Sequence, residues 1–132
     1  MQGKEHQMKY WHQAAIRTLE TADDLYRLKH RDACLFFGHL ALEKLLKGLI
    51  VKRTKDFPPL IHDLAKLAKI GKIELEEKYI QELRTITTFN ISGRYDDVKF
   101  AFYKKCTPAF TKKYLDLTKK LFLWFEKEYQ KK

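Results

Sequence analysis

His39, Glu43 and Lys47 recur every four residues along one stretch, so on a helix an imidazole, a carboxylate and an ammonium would share a face. Such a set could relay a proton or hold an anionic group. It also reads as an ordinary ladder, with Glu43 and Lys47 in the favourable i, i+4 orientation, worth about 0.2–0.5 kcal/mol, beside a partly buried ring. A second cluster, Arg94-Tyr95-Asp96-Asp97, follows a helix end. There a guanidinium can fork a phosphate or carboxylate and a phenol can stack on a base. The same residues would equally serve as a clamp, with Arg94 capping helix carbonyls and Asp96 holding it. The third cluster is His62-Asp63 after Pro58-Pro59. Its imidazole could be oriented for catalysis, but this pattern more commonly anchors a helix start. The ligand or partner contacts are therefore placed on His39, Glu43, Lys47, Arg94, Tyr95 and Asp96.

Several chemistries lack their residues. The sequence has no Walker phosphate loop, GxGxxG, HExxH, GxSxG or CxxC, and its 5 glycines are isolated. Cys34 and Cys106 are far apart in the chain, which argues against a disulfide framework or zinc ribbon and for a reducing compartment. His6 and His12 are poorly spaced for one helix face, so neither a metal site nor a cofactor is expected. The start of the chain carries no apolar leader and no long uncharged apolar stretch follows, so the expected setting is the cytoplasm, without a membrane. With 27 Lys+Arg against 17 Asp+Glu, the net charge of +10 biases the surface toward acidic or phosphate-bearing partners. Lysine pairs at 104–105, 112–113, 119–120 and 131–132 could track a nucleic-acid backbone, although lysines spread along an exposed helix usually make a solvated face. No aromatic-basic RNA module is recognisable.

The elements that must position these residues are helical. Trp11, Ala15, Leu19, Ala22, Leu25 and Leu28 predict a first helix over about 7–29. Asp32 is a candidate cap for a second helix running to about Arg53, whose first half, Ala33 to Gly38, is apolar on nearly all sides and needs cover from the bundle or a second subunit. A short helix is predicted over about 60–70, with Gly71 at its C-terminal cap, then a fourth from near Glu74 to Ile91, ended by Ser92-Gly93. Arg94 to Cys106 lacks periodicity but is too aromatic for a disordered linker, and is expected to pack on the bundle as an ordered connection. Thr107-Pro108 is a cap and first-turn pair for a last helix through Trp124 that frays into Lys131-Lys132. With 132 residues, the chain reads as one all-α domain with its core at about 7–126, a five-helix, mainly antiparallel up-and-down bundle.

Trp11 and Leu25, then Phe37-Gly38-His39-Leu40-Ala41-Leu42-Glu43-Lys44-Leu45-Leu46-Lys47-Gly48-Leu49-Ile50, then Pro59 with His62-Asp63-Leu64, then Asn90 with Arg94-Tyr95-Asp96, together resemble the HEPN domain (higher eukaryotes and prokaryotes nucleotide-binding). The resemblance runs from Trp11 to about Trp124. Many members read Arg-Tyr-Pro-Asp where this chain has Arg94-Tyr95-Asp96-Asp97, so the turn chemistry differs. The resemblance implies a five-helix bundle, a homodimer, and a non-catalytic subunit that binds nucleotide or a partner and works with a separate minimal nucleotidyltransferase in a toxin-antitoxin-like pair. Another branch of the family is an RNA-cleaving toxin marked by Arg, four to six residues, then His. Here seven residues separate Arg31 from His39 and eight separate Arg53 from His62, while no His follows Arg84 or Arg94. The ribonuclease alternative therefore lacks its usual pair, and any transfer chemistry would reside in the partner.

Overall fold

The apolar spacing of the first half of the chain gives two long helices, α1 (Lys4–Arg27) and α2 (Arg31–Thr54). They are followed by α3 (Leu64–Ile70), α4 (Glu77–Thr87), α5 (Asp96–Lys105) and α6 (Pro108–Glu128). The computed structural model describes residues 3–131, and among them no strand occurs. Met1 and Gln2, part of the stretch read for a leader, and Lys132, part of the expected frayed end, lie outside the described residues.

α2 is the central element because it is apolar on several faces. Leu42, Leu45, Leu46 and Leu49 are fully buried, and the helix packs on α1, α3, α4, α5 and α6. Each such leucine contributes about 1.5–3 kcal/mol relative to exposure. α1 reverses into α2 through Leu28–His30, with Lys29 in the left-handed region at φ 65. Cross-contacts fix the helix directions. Lys44 Nζ donates to Thr18 Oγ1 at 2.9 Å while Lys47 reaches Trp11, so α1 and α2 are antiparallel. α2 and α6 instead run the same way: Gly38 faces Thr118, and Lys52 Nζ donates to the carbonyls of Glu128 and Tyr129 at 2.9 and 2.6 Å. Close approach requires a glycine at position 48, because a Cβ there would run into the Tyr129 hydroxyl, which donates to the Leu45 carbonyl at 2.7 Å.

Four expectations change. The described residues form six helices rather than five, because Arg94 to Cys106 contains α5. Asp96 and Asp97 in its first turn and Lys104 and Lys105 in its last complement the helix dipole, whereas Phe102 is its only buried residue, so no apolar period reveals it. His30, not Asp32, is the N-cap of α2, and Asp32 sits in the first turn. α3 starts at Leu64, four residues later than its apolar content suggests, because the Asp63 side chain caps it by accepting from Lys66 N at 3.1 Å. α4 is likewise shorter, spanning Glu77–Thr87. Gly71 does cap α3, and Thr107 with Pro108 opens α6, its hydroxyl accepting from Phe110 N at 3.2 Å.

Candidate functional site

α2 carries His39, Glu43 and Lys47 on one face, as their spacing demands, but that face is covered. Their exposures are 0%, 6% and 7%. The cover comes from Trp11 of α1, whose ring lies 5.9 Å from Lys47 Nζ, and from the segment before α3. Glu43 is the hub. Its carboxylate accepts from Lys47 Nζ at 3.0 Å and from His62 Nδ1 at 3.0 Å to each oxygen. A carboxylate paired on two sides meets the requirement that a buried charge be compensated.

The two histidines have different chemistry. His39 Nε2 lies 3.1 Å from the His62 carbonyl, which only accepts, so this nitrogen carries the proton. Its distance to Glu43 Oε1 is 3.8 Å, beyond a hydrogen bond. His39 Nδ1 is then a buried lone pair without a partner among the described residues. Burial lowers the ring's pKa, against the raising effect of the His62 carbonyl and Glu43, which keeps it neutral. His39 thus acts as a peg from α2 to the chain before α3. His62 is the exposed tip, with a side chain 61% accessible. Its Nδ1 lies against Glu43, and its Nε2 makes no hydrogen bond among the described residues. A carboxylate-oriented imidazole at a surface can take or give a proton, or accept from a ligand.

The second sequence cluster differs from the first in its exposure. Arg94, Tyr95 and Asp96 are all exposed, Tyr95 at 84%. No hydrogen bond or ion pair among the described residues joins them to His39, Glu43 or Lys47. The clamp reading of this cluster is also not what forms. Arg94 N donates to Ile91 O at 3.1 Å across the turn at Gly93, whose φ is 77, but its guanidinium holds no carbonyl among the described residues. Asp97, rather than Asp96, makes a local bond, accepting from Val98 N at 2.9 Å.

Two residues not placed among the expected contact residues, the half-buried Trp11 and the exposed His62, pack against the buried set. The signal for His62 was the His62-Asp63 pair, in which Asp63 does anchor α3 while its neighbour turns back to α2. Two concavities were also invisible in the sequence. One of about 700 Å³ lies between α3 and α4, edged by Lys66, Lys69, Lys72 and Arg84 over Ile73 and Ile80. Another of about 970 Å³ lies where α2 and α6 end. The cations of the latter are mostly engaged. Lys52 binds the carbonyls already named, and Arg53 donates to Gly71 O at 2.9 Å, Lys72 O at 3.1 Å and Glu128 Oε1 at 2.6 Å.

Among the described residues, no group of three or more His, Cys, Asp and Glu is arranged to hold a metal ion, and no helix is long and apolar enough to cross a membrane. No curated protein and no solved structure matches the chain. The HEPN domain model does match, over residues 8–129, which takes in α2, the buried His39–Glu43–Lys47 face, His62 and the Arg94 turn. With nearly every residue of the helical frame inside that match, the chain belongs to the HEPN domain family.

Proposed function

We propose that this HEPN domain is a non-catalytic nucleotide- or partner-binding subunit that forms a homodimer through its apolar helices and acts with a separate minimal nucleotidyltransferase. The observation that carries this reading is the split between a buried polar set and an exposed one. His39, Glu43 and Lys47 are spent on each other, on Trp11 and on His62, and so fix a surface imidazole instead of meeting a ligand themselves. Arg94, Tyr95 and Asp96 are solvent-facing, and among the described residues their side chains make no hydrogen bond or ion pair. In this reading Arg94 forks a phosphate, Tyr95 stacks on a base and Asp96 accepts a ribose hydroxyl. Nothing in the sequence supplies the Gly-Ser turn and paired aspartates of a nucleotidyltransferase, so transfer chemistry falls to the partner.

The test is a calorimetric titration of ATP, GTP, CTP and UTP into the wild type and into Arg94→Ala. Saturable binding lost in the variant is the expected result. Equal binding by both proteins, or none by the wild type, overturns the nucleotide assignment to Arg94.

One observation favours a second reading, a ribonuclease. His62 is held by a carboxylate through Nδ1 on an exposed side chain, an arrangement compatible with a general base. Metal-free cleavage of RNA in the presence of a chelator, abolished in His62→Ala, would support it over the binding reading.

A further inference from the structure

α5 presents an anomaly of burial. Its residues Phe100 and Tyr103 are 56% and 57% exposed, and Phe102 alone enters the core, against Phe89 at a ring separation of 5.3 Å. Phe100 and Tyr103 lie one turn apart, their rings nearly parallel at 16° and 6.1 Å between centroids. Lys104 Nζ stands 4.7 Å from the Phe100 ring centroid, and Lys99 shares the exposed side of the same turns. The acids of this helix, Asp96 and Asp97, are confined to its first turn, so its C-terminal half carries only positive charge.

We propose that the exposed side of α5 from Lys99 to Lys104 is a stacking platform for single-stranded nucleic acid, with bases on Phe100 and Tyr103 and phosphates at Lys99 and Lys104. The chemistry of this surface selects that occupant on three counts. The cores of protein–protein interfaces are rich in aromatics but poor in lysine, whereas here lysines alternate with the rings. A duplex keeps its base faces inside its own stack, so exposed rings gain nothing from it. A single strand offers a π-face and a phosphate at every nucleotide, the two features this surface repeats. The platform uses none of the residues of the Arg94 nucleotide reading and stands without it.

The experiment is fluorescence anisotropy with labelled thymidine and uridine oligonucleotides of about twelve nucleotides, plus a duplex control, at about 50 and about 200 mM salt. Phe100→Ala/Tyr103→Ala and Lys99→Gln/Lys104→Gln are compared with the wild type. The substituted side chains are solvent-facing, and circular dichroism melts verify that each variant folds as the wild type does. We expect both single strands to bind more tightly than the duplex. The aromatic variant should lose roughly tenfold or more in affinity. The lysine variant should lower the slope of log K against log salt by about 1.4, from about 0.7 per phosphate contact. Affinity for ATP should be unchanged in the aromatic variant, which separates this outcome from that of the Arg94 test. Absence of single-strand binding, duplex binding of equal strength, or an unaffected aromatic variant overturns the proposal. So does a changed oligomeric state of that variant by light scattering, which would make the face a contact between copies of the chain.

Discussion

Replacing Glu43 by Gln tests whether the buried hub governs stability. The carboxylate and the Lys47 ammonium are 3.0 Å apart, and both side chains are 8% exposed. At that separation the attraction is about 5 kcal/mol for an effective dielectric near 20. Against this stands the desolvation of both ions, so the useful quantity is the cost of removing one partner, about 3–5 kcal/mol for a buried pair. His62 adds less, since its side chain is 61% exposed and water takes over its bond. Glu43→Gln should therefore lower the unfolding free energy by about 3 kcal/mol, a large share of the roughly 5–15 kcal/mol of a typical domain. Urea unfolding at neutral pH, followed by circular dichroism, should show a lower midpoint with an unchanged slope. Glu43→Leu/Lys47→Met should recover most of the loss, because no uncompensated charge remains and the volume is filled. A loss below about 1 kcal/mol in Glu43→Gln, or a double variant less stable than Glu43→Gln, would refute the reasoning.

Other outcomes follow from single contacts. Gly48→Ala should destabilise by about 1–3 kcal/mol despite alanine's better helix propensity, because the new methyl meets the Tyr129 hydroxyl, and Tyr129→Phe in that background should restore part of the loss in the same urea assay. Stability should fall as pH drops below about 6.5. His39 is neutral in the fold with a lowered pKa, so the unfolded chain binds the extra proton first; its share of the slope is at most about 1.4 kcal/mol per pH unit, and His39→Gln should flatten the profile of melting temperature against pH. Asp63→Ala removes the cap of α3 and should cost about 1 kcal/mol by denaturant midpoint. Burial pushes the Cys34 and Cys106 thiols up to about 11 and about 12, so an aromatic disulfide reagent should label neither until the protein is unfolded in urea.

Legibility in the sequence followed the strength of the apolar period. α1, α2 and α6 carry apolar residues recurring along their whole lengths, and their positions were readable to within a few residues. α5 was missed because it buries one residue, Phe102, and its helix-forming signal lies in end charges rather than in periodicity. The number of helices suffered for the same reason. At the candidate site, the His39–Glu43–Lys47 face was legible because i, i+4 spacing is local geometry. The buried state of that face was not legible, since it depends on Trp11 and His62, which come from other parts of the chain.

The sequence by itself determined that the chain is helical, that α2 must be surrounded, and that an acid, a base and a cation share its side; these follow from the period of the backbone and the free energy of apolar burial. Only the tertiary structure decided which polar residues are consumed and which remain available. Glu43 could have been a ligand contact or a hub, and it became a hub because the segment before α3 returns His62 to it. Arg94 could have been a clamp, and it stayed in solvent because no packed element among the described residues brings it an acceptor. The aromatic residues of α5 could have joined the core, but a short helix docked by one ring turns the others outward. Local spacing sets which side chains travel together, whereas pairing and exposure depend on contacts between segments distant in the chain, and those form only when the helices pack.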